Sequence, residues 1–66
     1  MIGYKLTTEQ AKELTGKQYA SNCYFNPVKD INGFYFIFFE EASQTDIKWI
    51  KELPETEFVP PVIKLR

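Results

Sequence analysis

Apolar and polar positions alternate at the start of the chain. Ile2, Tyr4 and Leu6 are separated by Gly3 and Lys5, which predicts a short strand or extended lead-in. Thr7 then has Gln10 three residues on, the spacing of a capping box, and Leu6 just before the cap can pack on Ala11. Gly16 accepts the left-handed backbone that ends many helices, so a short helix is predicted over 8–15. Ala11 and Leu14 are its inward positions; Glu9, Lys12 and Glu13 are its solvated side. Lys17 to Asn22 reads as a polar connection carrying Tyr19.

Strand signals resume at Cys23-Tyr24-Phe25 and run through Val28 and Lys29. Asp30-Ile31-Asn32-Gly33 predicts a tight hairpin turn, because Asn-Gly tolerates positive φ. Pro27 has no amide donor, so the first hairpin strand is an edge or breaks there. Two registers are open. A loop of Ile31-Asn32-Gly33 sets Val28 opposite Phe36 and Phe25 opposite Phe39; a loop of Asn32-Gly33 alone sets Val28 opposite Ile37.

The second hairpin strand is the unusual feature. Phe34-Tyr35-Phe36-Ile37-Phe38-Phe39 is apolar throughout, so a strand there presents Phe34, Phe36 and Phe38 on one face and Tyr35, Ile37 and Phe39 on the other. A face of three such side chains amounts to about 450–750 Å², against roughly 300–600 Å² for the largest apolar patch of an ordinary monomer. One small core covers one face. The other must be covered by a helix or arm of the same chain, by a second copy or by a partner.

Glu40-Glu41 ends the run. Ser43 and Thr45 are candidate caps for a short second helix through 46–51, with Ile47, Ile50 and Leu53 on one stripe and Pro54 as its stop. That helix is the expected lid over one face of the hairpin. From Glu55 the chain turns extended. Phe58-Val59-Pro60-Pro61-Val62-Ile63-Lys64-Leu65-Arg66 has no helical period, and 55–66 forms either an arm or a terminal strand, on its own chain or on a neighbour. The expected architecture is a single α+β domain over 1–66: a short N-terminal helix, a central antiparallel hairpin turning at Asn32-Gly33, a short second helix and an extended C-terminal arm.

Composition removes most kinds of chemistry. Cys23 is the single cysteine and there is no histidine, so an intrachain disulfide and the usual zinc ligand sets are excluded. Without a histidine to activate it, Cys23 reads as a packing residue. Six Phe, four Tyr and Trp49 must supply most of the stability. Eight basic and nine acidic residues give a net charge of −1, which offers no general attraction to nucleic acid or an anionic membrane. No apolar stretch approaches the roughly twenty residues that span a bilayer, and the N-terminus lacks a signal-peptide core, so a cytoplasmic protein is expected.

Asp30-x-Asn32-Gly33 superficially matches a calcium loop. Aligning Gly33 with that loop's glycine puts Val28 and Phe39 at its end ligands, which leaves the hairpin turn as the reading. Glu40 and Glu41 point to opposite faces of a strand and form no acid–base pair. With no phosphate loop or nucleophile–base pair either, no catalytic residue, cofactor or small-molecule substrate is expected. Gly33-Phe34-Tyr35-Phe36-Ile37-Phe38-Phe39, with Tyr24-Phe25-Asn26 nearby, resembles the aromatic RNA-binding strand of the RNA-recognition and cold-shock families, whose rings stack on unpaired bases. Here Tyr35 replaces the small residue between the first two rings, Asn32 replaces the basic residue before the glycine, and only Lys29 lies close in sequence.

The ordered set Thr7, Glu9-Gln10-Ala11, Leu14, Gly16, Phe25-Asn26-Pro27-Val28, Asp30, Asn32-Gly33, Glu40-Glu41 and Trp49-Ile50-Lys51 resembles small uncharacterised proteins encoded by tailed bacteriophages and prophages. The resemblance implies a minor virion or assembly component, in the host cytoplasm or the virion, and brings no functional residues with it. The leading expectation is a non-enzymatic interaction protein that self-associates or docks on a larger assembly. Its expected contact residues are Phe34, Phe36 and Phe38, assisted by Phe58, Val62, Ile63 and Leu65. The alternatives are a single-stranded nucleic-acid-binding module that uses the same rings, or a small inhibitor of a host protein.

Overall fold

A computed structural model describes residues 1–62. Element order is β1 (Ile2–Leu6), α1 (Thr8–Leu14), β2 (Gln18–Ala20), β3 (Cys23–Tyr24), β4 (Val28–Lys29), β5 (Tyr35–Ile37), α2 (Phe39–Gln44), a 3₁₀ turn (Lys48–Glu52) and β6 (Glu55–Glu57). The main sheet has the order β4-β5-β1-β6, and β2 pairs with β3 in a separate small hairpin. The fold is α+β, with every strand pair antiparallel.

Local chemistry explains the first helix. The Gln10 N–H donates to the Thr7 hydroxyl at 3.1 Å, and the Thr7 N–H donates to the Gln10 side-chain oxygen at 2.9 Å, so two otherwise orphaned donors are satisfied together. Past Leu14 the chain turns through Gly16 at φ +88°. The hairpin takes the longer of the two loops: Val28 lies opposite Phe36, the Asp30 N–H donates to the Phe34 carbonyl at 2.9 Å, and Gly33 holds φ +87°.

Three expectations need correction. Lys17 to Asn22 holds strand β2, whose partner is Cys23–Tyr24, so the first hairpin strand breaks before Pro27 and Phe25 does not face Phe39. Phe25 is buried instead against the Tyr19 ring, with centroids 5.2 Å apart. Second, the apolar run is a strand only from Tyr35 to Ile37, and Phe39 opens α2. The Phe38 N–H donates to the Glu41 carboxylate at 2.8 Å, and Glu40 and Glu41 both sit in the first turn, where negative charge suits the helix dipole. Third, the segment expected as the second helix is the shorter 3₁₀ turn. Thr45 accepts the Ile47 N–H at 3.2 Å just before it.

The register assigns the sheet's two faces. Tyr4 lies opposite Ile37 and Leu6 opposite Tyr35, so these four share a face. Leu6 and Ile37 there join Ala11, Leu14, Phe25, Ala42, Ile50 and Leu53 in the main core, beneath both helices and the 3₁₀ turn. The opposite face carries Gly3, Lys5 and Phe36. It is closed by the chain itself: the Phe58 ring meets Phe36 at 5.2 Å and Phe38 at 5.1 Å, both edge-on. After β6, the Phe58 N–H bonds the Met1 carbonyl, and the Val59 carbonyl accepts the Ile31 N–H at 2.8 Å. The chain therefore passes from the β6 edge to the β4–β5 loop.

Candidate interaction surface

The aromatic run divides once this packing is in place. Phe36 is 1 % exposed and Phe58 8 % exposed, so both belong to the interior rather than to the contact surface expected of them. Phe38 is half-buried under Phe58. Phe34 is 46 % exposed. Val62 is exposed beyond the sheet, and Ile63 and Leu65 lie outside the described residues.

Phe34 is not an isolated exposed ring. Asp30 faces it across the hairpin, which makes Val28 its diagonal neighbour on the same face. Ile31 follows in the loop and is tied to Val59 by the backbone bond already described. Val28, Ile31, Phe34 and Val59 are all exposed. They form an apolar tip where the returning chain meets the hairpin.

The tip is held rigidly from below. One carboxylate oxygen of buried Asp30 accepts the N–H of Asn32 and that of Phe34, each at 3.0 Å. Gly33 supplies the positive φ that lets the loop close over this oxygen. Beside the tip a shallow hollow of about 420 Å³ is lined by Lys5, Leu6, Thr7, Phe34, Tyr35 and Pro54.

Two lysines lie near the tip, Lys5 on the face that carries Phe34 and Lys29 on the opposite face of the hairpin. The Lys5 ammonium sits 3.8 Å from the Phe34 ring centroid, and Lys29 lies over Tyr35 at 5.3 Å. Sequence distance hides Lys5, which reaches Phe34 only because β1 pairs with β5. Val28 and Val59 were equally hidden. Ile31 did leave a signal, as an apolar residue inside a turn sequence that water would otherwise surround.

A second exposed ring stands apart. Phe39 is 71 % exposed at the start of α2, over a hollow of about 300 Å³ formed with Tyr4, Ala42, Ser43 and Lys51. Among the described residues, no helix is long and apolar enough to cross a membrane, and no group of three or more His, Cys, Asp or Glu is placed to hold a metal. No protein-family model, curated protein or solved structure matches the chain.

Proposed function

We propose that the chain is a non-enzymatic interaction protein that docks on a protein surface, first of all a second copy of itself or a larger assembly built from it, through the tip of its central hairpin. The division of the aromatic run carries this reading. Phe36 and Ile37 are taken into the interior, whereas Phe34 stays in water beside three further apolar side chains. A loop anchored by a buried carboxylate presents these groups with little ordering cost on binding. The resemblance of the residue set to small tailed-phage proteins implies a minor virion or assembly component, acting in the host cytoplasm or in the virion.

Sedimentation velocity from micromolar to millimolar protein tests it. Ile31→Ser combined with Phe34→Ser should weaken self-association by roughly tenfold or more, as loss of a buried aromatic anchor does, while circular dichroism stays unchanged. Equal association of the folded double variant and the parent protein contradicts the reading.

The Lys5–Phe34 pair favours a second reading, a single-stranded nucleic-acid-binding module, because a cation beside an exposed ring is the chemistry such sites use. Salt-sensitive oligonucleotide binding, lost in both Lys5→Ala and Phe34→Ala, would place it first.

A further inference from the structure

We propose that Asn32 is a site of covalent self-modification: its side chain closes a cyclic imide with the Gly33 backbone nitrogen and is converted to aspartate and isoaspartate, which loosens the hairpin tip. The conversion and the loosening do not depend on the docking role of the tip. The limited working life that they give that surface does rest on it.

The residue that follows each asparagine selects the site. Asn22, Asn26 and Asn32 are all exposed, so access to water does not separate them. The nucleophile for ring closure is the next backbone nitrogen, which must give up its proton and approach the side-chain carbonyl carbon. Pro27 after Asn26 has no amide proton to give. Cys23 after Asn22 carries a Cβ that crowds the ring. Gly33 after Asn32 carries none, and nothing lies within 4 Å of the place its Cβ would take.

Water and solvent base are the only co-reactants. Base removes the Gly33 amide proton, the nitrogen bonds to Cγ of Asn32, and the Cγ–Nδ2 bond breaks as ammonia leaves. Water then opens the imide, with no change of oxidation state. Attack at Cγ returns the ordinary backbone with an aspartate side chain. Attack at the main-chain carbonyl carbon leaves isoaspartate, in which the chain runs through Cβ and Cγ and is longer by one carbon. Either product adds a negative charge to the loop.

Asp30 both restrains the reaction and registers it. The Gly33 N–H donates to the Asp30 carbonyl at 3.0 Å, so the nucleophilic nitrogen is engaged while the loop is closed. The Asn32 and Phe34 N–H groups share one oxygen of the buried Asp30 carboxylate, each at 3.0 Å. Ring closure therefore requires local opening, and the population of the open loop sets the rate. In isoaspartate the extra carbon lies between those two donors, so they no longer converge on one oxygen. The new carboxylate also repels that of Asp30.

Prolonged incubation of the full-length chain, followed by peptide mass mapping, tests the proposal. Acid in place of amide should accumulate at Asn32 well ahead of Asn22, with isoaspartate detected by enzymatic methylation. In the separated converted chain, hydrogen exchange at the Phe34 amide should accelerate while α1 keeps its protection. Asn32→Ser should abolish both the isoaspartate and the loss of protection with time. Asp30→Ala, with α1 still protected, should convert roughly tenfold faster than the parent, and Asp30→Asn, which keeps an acceptor oxygen, should fall between them. Conversion at Asn22 ahead of Asn32, equal rates in the parent and both Asp30 variants, or a converted chain whose Phe34 amide stays protected would overturn the proposal.

Discussion

A Cβ on Gly3 would lie 2.8 Å from Cδ2 of Phe36 and 2.9 Å from Cε1 of Phe38. The absence of a side chain at Gly3 is therefore what lets both rings settle on the sheet, where Phe58 closes over them. Gly3→Ala must displace rings that already pack edge-on against a third. It is expected to cost about 1–3 kcal/mol, as overpacking does, and urea denaturation measures it.

Phe58 and Phe34 should behave as opposites. Phe58→Ala removes the ring that shelters Phe36 and is expected to cost about 3–5 kcal/mol. Phe34→Ala gives up mainly the Lys5 contact, worth about 0.5–1 kcal/mol at an exposed site. Thermal unfolding of the two variants side by side should show a large drop for the first and a small one for the second.

Asp30 is a buried structural carboxylate whose single oxygen serves two loop amides. Asp30→Ala leaves both donors without that acceptor and is expected to cost about 1–3 kcal/mol, whereas Asp30→Asn keeps an oxygen and loses less. Amide hydrogen exchange at Asn32 and Phe34 should accelerate in the first variant before the rest of the chain does.

Much of this was legible where the chemistry is local. The Thr7–Gln10 box, the stop at Gly16 and the Asn32-Gly33 turn each need only neighbours in sequence, and each formed. The start of α2 was legible too, but outcompeted: Glu41 stands three residues after Phe38, the spacing of a cap, inside a run whose aromatic content argues for strand. The long-range relations left no local trace. Nothing around Ile2–Leu6 says that it lies between β5 and β6. Nothing around Phe58 says which side of the sheet it covers. Both depend on pairing between chain ends, and that pairing changed which rings are interior and which form the tip.

Tyr19 offers a pH test. Desolvation of its phenol, with Cys23, Glu40 and Glu41 adding their negative charge, raises its pKa above the ordinary 10.0. The folded state thus favours the neutral ring. Its contribution to stability is complete below pH 10 and is lost as pH rises through the higher folded value. Ultraviolet difference titration should show a tyrosine ionising above the normal range, absent in Tyr19→Phe, and that variant should lose less stability at alkaline pH.

Amide chemical shifts followed through a dilution series test the central claim most directly, because they show whether the molecule meets another copy and where. The expected changes concentrate at Val28, Ile31, Phe34 and Val59, while α1 and the buried Phe36 amide stay fixed. Shifts that do not vary with concentration, or that vary along α1 and leave the hairpin tip unchanged, would contradict the account.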